Sequence, residues 1–250
     1  MRRILTIDGG GIKGVAPASL LAHVEESLPH QIGEYFDLIV GTSTGGIIAL
    51  AFGLGLSARE TLAFYERHGP TIFYGNPRFK AFRRWFRAKY DPRPLRTALE
   101  EVFGARKLGE SAKRLVVPSF NIDTGEVHVW KTSHHPRFER DYKSLVVDVA
   151  LSTAAAPTYF PTHQLACGTP LIDGGMWATI PSLSPLSRRL EFSNGLQTIC
   201  EFSVWAAQQR RLASIGAGRT PLENSAGPRR SPMCSWPVKH PGRWAWRSIL

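Results

Sequence analysis

Cysteine is scarce in this chain, with three in 250 residues. Cys167, Cys200 and Cys234 are odd in number and form no Cys-x-x-Cys pair, which argues against both a disulfide framework and a thiolate zinc site. Long apolar runs are missing as well: none approaches the roughly 18 residues of a membrane-spanning helix. The opening Met1-Arg-Arg-Ile-Leu-Thr-Ile-Asp8 has basic and then apolar residues, but the apolar run is too short for a secretory signal and stops at an acid. These absences predict a cytoplasmic protein. Acidic residues are outnumbered, 20 Asp and Glu against 31 Lys and Arg, for a net charge of +11. Ten Lys/Arg and three Asp/Glu fall in residues 184–250, so +7 of the charge lies in that stretch. A surplus gathered there does not favour nucleic acid as the partner. The length suffices for one large buried core.

What the chain does contain is glycine at the ends of short apolar runs. The first to carry chemistry is Asp37-Leu-Ile-Val-Gly41-Thr-Ser43-Thr-Gly45-Gly46, where an apolar run meets Gly-x-Ser-x-Gly and an Ala/Leu/Gly-rich segment follows. Read as strand, sharp turn and helix, the pattern lifts Ser43 out of the backbone as a nucleophile, with the helix start and its N–H groups behind it. Gly41 and Gly45 are needed because no side chain fits where strand and helix come so close. Alone, Gly-x-Ser-x-Gly is a weak signal and also describes an ordinary Gly/Ser turn after a buried strand.

A second such place lies at the start. Arg3 to Ile7 reads as a buried strand, Asp8-Gly9-Gly10-Gly11-Ile12-Lys13-Gly14 as a glycine loop, and Val15 to Leu28 as a helix with Val15, Leu20, Leu21, Val24 and Leu28 on one face. Consecutive glycines beside a helix N-terminus expose backbone N–H groups to an anion. Gly9-x-Gly11-x-x-Gly14 also fits a dinucleotide fingerprint. That reading expects an acid at the end of the next strand, whereas Glu25 and Glu26 fall inside the helix and the next strand ends at Ser43. The loop therefore suits a transient oxyanion better than a nucleotide.

Further along, Thr44 to Leu56 reads as a small-residue helix, and Ser57-Ala-Arg-Glu60 as a capping box opening a helix to about His68, with a loop over 69–77. Residues 78–90 interleave Phe79, Phe82, Phe86 and Tyr90 with Lys80, Arg83, Arg84 and Arg87. This is the candidate for peripheral contact with an anionic membrane, against the plainer reading of a surface helix with a solvated basic face. Leu95 to Phe103 is a further helix. Arg114 to Asn121 and Glu126 to Thr132 read as strands around an Asp123-Thr-Gly125 turn, and Val146 to Ala156 as a helix ended by Pro157. His134, His135 and His163 lack Asp/Glu at ligand spacing and read as loop histidines, so no metal is expected. Finally Thr169-Pro-Leu-Ile-Asp173-Gly174-Gly175 repeats the opening logic of short strand, acid and glycines. Asp173 then stands at a strand end, where open α/β sheets build their sites, or else in an ordinary Asp-Gly turn.

Three such pieces in an alternating α/β chain converge on one sheet edge as an anion cradle, a nucleophile and a carboxylate. Their order and wording resemble the patatin-like phospholipases. Asp8 to Gly14 is similar to that family's glycine-rich oxyanion loop, Gly41 to Gly45 to its nucleophile elbow, and Asp173-Gly-Gly175 to its catalytic acid motif. Ala154-Ala-Ala-Pro-Thr-Tyr-Phe-Pro161 is similar to the segment preceding that acid, and Lys13 stands where many members carry Arg. The resemblance implies a three-layer α/β/α domain with a mainly parallel central sheet, its core at residues 3–183. It implies a serine acyl hydrolase of phospholipids or related lipids, with Ser43 as nucleophile and Asp173 as base. It further implies that Gly9, Gly10, Gly11 and Thr44 form the oxyanion hole, that Gly14, Gly41, Gly45, Gly174 and Gly175 are motif glycines, and that no cofactor is required. A Ser–Asp dyad also suits a chain whose only His after Asp173 is His240. The competing readings are an inactive or truncated family member and a nucleotide- or lipid-binding α/β module. Some bacterial relatives are membrane-degrading effectors gated by a nucleotide signal, and nothing in these residues supplies such a gate. Residues 184–250, with four of the seven Trp and no Asp, read as a divergent or frame-altered last part of the same domain. Ser214-Ile-Gly-Ala-Gly218 is its one weak likeness to a family turn.

Overall fold

The computed structural model describes residues 2–73, 88–135, 138, 140–177 and 197–202, all within one compact unit, Met1–Ala213. The chain opens with β1 (Arg2–Ile7), whose Ile4, Leu5, Thr6 and Ile7 are all buried, the mark of a strand covered on both faces. β1 lies parallel to β2 (Leu38–Gly41), with Ile4 opposite Leu38 and Ile7 opposite Gly41. β2 in turn lies parallel to β3 (Arg114–Asn121) up to Val40 opposite Val116. β4 (Glu126–Lys131) returns as the expected hairpin partner of β3. β5 (His163–Gln164) and β6 (Pro170–Asp173) complete that side, and β7 (Gln197–Phe202) adds in parallel to the other edge of β1. The order β5-β6-β3-β2-β1-β7, with β4 also on β3, is a mixed sheet of mostly parallel strands flanked by helices. This is the α/β class expected.

The helices are α1 (Val15–Glu25), α2 (Thr44–Gly53), α3 (Ala58–Phe73), α4 (Pro92–Phe103) and α5 (Val146–Ala154). Their buried residues join Leu5, Ile7, Ile39, Leu115 and Val117 in one core. Ile4, Val40 and Val116, which alternate with those residues along the strands, form a separate cluster on the opposite face. Every residue of α2 is buried, so it is a central helix without a polar side. At the start of α3 the Ser57 hydroxyl accepts from Glu60 N–H, while Glu60 accepts from Ser57 N–H, the expected capping box. α4 is opened by Asp91, which accepts from Arg93 N–H, with Pro92 at the first position.

Three sequence expectations need correction. The stretch read as loop over 69–77 is helical through Gly69 and Pro70 to Phe73. Ile72 is buried and Phe73 packs edge-on against Tyr90 and Phe160, contacts that outweigh the lost N–H of Pro70. α1 ends at Glu25 rather than Leu28, and Leu20 is exposed while Ala18, Leu21 and Ala22 form the buried stripe. α5 stops at Ala154, two residues before the expected end. Most of the basic aromatic stretch, 78–87, lies outside the described residues. So does the segment 184–250 apart from β7, a strand the sequence had not marked.

Candidate active site

The two halves of the site meet because of how β3 is shared. β4 takes one edge of β3 over Val116–Asn121, so β2 and β6 must share the other. β2 runs with β3 and stops at Val116, while β6 runs against it and stops with Asp173 opposite Ser119. Their C-terminal ends therefore point at each other across the short interval at Val117 and Pro118. A proline is tolerated there because no ladder bond needs its N–H.

β2 delivers Ser43 in a sharp turn, at φ 57° and ψ −126°, a left-handed conformation that L residues rarely adopt. Space forces the turn. A Cβ on Gly41 would lie 2.1 Å from the Gly45 carbonyl oxygen, and one on Gly45 would lie 2.2 Å from that of Ile7. Ser43 occupies the N-cap position of α2 yet makes no side-chain cap. Its hydroxyl instead donates to Asp173 Oδ2 at 2.6 Å, across 130 positions of sequence. Its carbonyl accepts from Ile47 N–H.

Asp173 is 5% exposed. Its Oδ1 accepts from Gly175 N–H at 2.7 Å, and its own N–H donates to the Ala155 carbonyl. Burial pushes its carboxyl up to about 6, opposed by the Ser43 hydroxyl and the Gly175 N–H, which both favour the charged form. Gly174 is pressed on β3: a Cβ there would lie 2.3 Å from the Pro118 carbonyl oxygen.

The glycine loop comes to the same place. A Cβ on Gly9 would meet Ser43 Cβ at 2.7 Å, and one on Gly14 would meet Thr44 Cβ at 3.0 Å. Gly10 N–H donates to Thr44 Oγ1, and the Thr44 carbonyl accepts from the buried Tyr65 hydroxyl, so the loop is tied to the first turn of α2. Gly11 sits at φ 59° and opens the short 3-10 turn Gly11–Gly14. All the residues singled out by motif thus gather at the ends of β1, β2 and β6.

Ser43 and Asp173 line a cavity of about 540 Å³ together with Gly9, Gly10, Gly11, Lys13 and Thr44. Its remaining walls are mainly apolar, among them Ile47, Phe64, Ile72, Phe73, Leu95 and Phe160. The size is typical of ligand pockets. Chemically, the arrangement holds a hydroxyl against a carboxylate at one end of an apolar chamber. The described histidines lie elsewhere. His134 contacts Thr132 and His163 contacts Asp148 at 3.2 Å, a carboxylate that linear spacing did not pair with it. Among the described residues no group of three or more His, Cys, Asp or Glu is placed to hold a metal. No described helix is long and apolar enough to cross a membrane.

Sequence reasoning missed the aromatic wall made by Phe73, Tyr90, Tyr159 and Phe160 and the buried Thr153 behind Ser43. Thr153 was detectable only as one of two adjacent hydroxyl residues, Ser152 and Thr153, near the end of α5.

Comparison with known proteins supplies an independent line. The family model described as patatin-like phospholipase matches residues 5–185. A cGAMP-activated phospholipase of Pseudomonas aeruginosa is 41% identical over 182 residues, covering 72% of this chain and 54% of that protein. A cGAMP-activated phospholipase of Vibrio cholerae is 38% identical, covering 72% and 55%. Patatin-T5 of Solanum tuberosum is 31% identical over 245 residues, covering 88% and 61%. The chain spans about half the length of the bacterial relatives it matches.

Proposed function

Since the chain belongs to the patatin-like phospholipase family, we propose that it is a serine acyl hydrolase that cleaves fatty-acyl esters of membrane lipids through Ser43 and Asp173. The observation that carries this reading is the 2.6 Å hydrogen bond from the Ser43 hydroxyl to a buried carboxylate, at the end of an apolar cavity. In the reaction, Ser43 Oγ attacks the acyl carbonyl and its proton passes to Asp173. Backbone N–H groups of the glycine loop and of Thr44 hold the oxyanion, each such donor contributing about 10²–10³ in rate. Gly10 N–H already serves Thr44 Oγ1 and takes this role only by exchanging that partner, whereas Gly9, Gly11 and Thr44 are assigned to it directly. Collapse expels the alcohol with the proton from Asp173. Water, deprotonated by the same carboxylate, then releases the fatty acid and restores Ser43.

The raised carboxyl suits a group that takes and returns a proton near neutral pH. The apolar walls suit an acyl chain, a substrate that is met at a membrane surface. The basic residues of 78–90 are the segment proposed to make that contact. Lys89, at its end, lies over the Tyr90 and Tyr159 rings beside the cavity.

The test is fatty-acid release from phosphatidylcholine–phosphatidylglycerol vesicles, for wild type and Ser43→Ala. Relatives carry cGAMP activation in their names, so both are assayed with and without cGAMP. Release by wild type in either condition and none by Ser43→Ala is the expected result. Release that survives Ser43→Ala would sink the nucleophile assignment, and a folded wild type silent in both conditions would favour a binding module or an inactive member.

A further inference from the structure

The geometry points to Thr153 as a positioning residue that sets the distance between Ser43 and Asp173 from a single reference atom, the carbonyl oxygen of Pro118. This deepens the hydrolase reading above and rests on it. Thr153 is fully buried near the end of α5. Its hydroxyl donates to the Pro118 carbonyl at 2.7 Å and accepts from Ser43 N–H at 3.0 Å. The side chain thus fills the interval on β3 where the β2 ladder has ended and the β6 ladder has not begun. The same Pro118 carbonyl is the surface on which Gly174 is pressed, one residue after Asp173. Both partners of the dyad are therefore placed from one point, Ser43 through a hydroxyl bridge and Asp173 through the packing of its neighbour.

The bridge has a physical task. Ser43 holds an unfavourable backbone conformation, at φ 57°, of a kind that persists only where its surroundings over-determine it. The glycines permit the turn by making room, but room does not fix direction. The Ser43 N–H bond to Thr153 does, because a buried donor without a partner is expensive. The γ-methyl of Thr153 faces Gly46, where a Cβ would lie 2.9 Å from it, so the side chain is wedged with its hydroxyl toward Ser43. No other side chain holds the Ser43 N–H among the described residues. Without the hydroxyl, the elbow loses its tie to β3 while the cavity walls stay as they are.

The experiment is steady-state hydrolysis of a short-chain p-nitrophenyl ester by the full chain, comparing wild type, Thr153→Val and Thr153→Ser, with melting curves for each. Thr153→Val keeps shape and removes the bridge. We expect kcat to fall about 10- to 100-fold, the cost of a nucleophile misplaced by a fraction of an ångström, with KM within about twofold and the acid limb of the pH profile moved upward as Asp173 loses part of its bond to Ser43. Thr153→Ser keeps the hydroxyl and loses the methyl, and should stay within about threefold of wild type. Equal kcat in wild type and Thr153→Val would overturn the inference, as would a Thr153→Ser variant as slow as Thr153→Val, since that result assigns the role to the methyl. If Thr153→Val does not fold, Thr153→Ala against Thr153→Ser decides the question by the same criterion. The assay is run with and without cGAMP, and a folded wild type inactive in both conditions defeats the hydrolase reading instead, so the two failures are separable.

Discussion

The β3–β4 hairpin and the elbow after β2 both turn the chain at glycine, but for different reasons. At the hairpin, Gly125 has φ 67° and a Cβ would meet nothing within 4 Å. There glycine serves conformation, and the turn faces open space. At the elbow, Gly41 and Gly45 lack positive φ, and the residue at φ 57° is Ser43 itself. There glycine serves space, because a Cβ would overlap backbone at about 2 Å. The strained conformation has been moved from the glycines onto Ser43, and the fold is packed tightly enough to hold it. Strain of this kind collects at sites where geometry is functional.

Substitutions at the two turns should separate these roles of glycine. The largest effect is expected at Gly45→Ala, where the added methyl meets the Ile7 carbonyl oxygen at 2.2 Å and that of Asp8 at 2.8 Å. Backbone must move, so we expect stability to fall by about 3 kcal/mol and kcat/KM by more than about 100-fold, measured by denaturant unfolding and ester hydrolysis. Next comes Asp173→Asn. The folded carboxyl is raised to about 6 from an ordinary 3.8, so the native state binds the proton more tightly than the unfolded chain. Ionising Asp173 therefore costs stability as pH rises from about 4 through about 6, and the full cost, on the order of 3 kcal/mol, stands above that range. Asp173→Asn should raise Tm by about 6 °C or more at pH 8, change it little at pH 4, and abolish turnover. An unchanged Tm at pH 8 would mean that the carboxylate is better compensated than its surroundings suggest. The acid limb of wild-type kcat/KM should accordingly have its midpoint near pH 6, and a midpoint near 4 would remove Asp173 as the base. The smallest effect is expected at Gly125→Ala, about 1 kcal/mol from the left-handed conformation alone, with activity unchanged.

The same contrast explains what could be read from the sequence. The motif residues were legible because the constraints on them are local. A strand must end, a glycine must follow, and Ser43 or Asp173 sits at a fixed offset from it. The hairpin and the Ser57–Glu60 box were legible for the same reason. The crossing of β3 was not. That β2 and β6 meet end to end on one edge depends on where β4 pairs, and no linear spacing encodes it. Thr153 and the Tyr90–Tyr159–Phe160 wall matter through contacts made over long separations, so they look like ordinary helix and loop residues. The helix through Gly69 and Pro70 reads as loop because both residues usually end helices, while the burial of Ile72 and the packing of Phe73 that override them are tertiary. His163 was set apart from carboxylates for a similar reason: Asp148 reaches it from a different element.

Whether Asp173 activates Ser43 is decided by reaction with a fluorophosphonate probe. Folded wild type should be labelled at Ser43, Ser43→Ala should not be labelled, and Asp173→Asn should react more slowly by at least about 10³-fold. Labelling of Asp173→Asn at the wild-type rate would contradict this activation, because the 2.6 Å hydrogen bond would then be structural and the serine would owe nothing to the carboxylate.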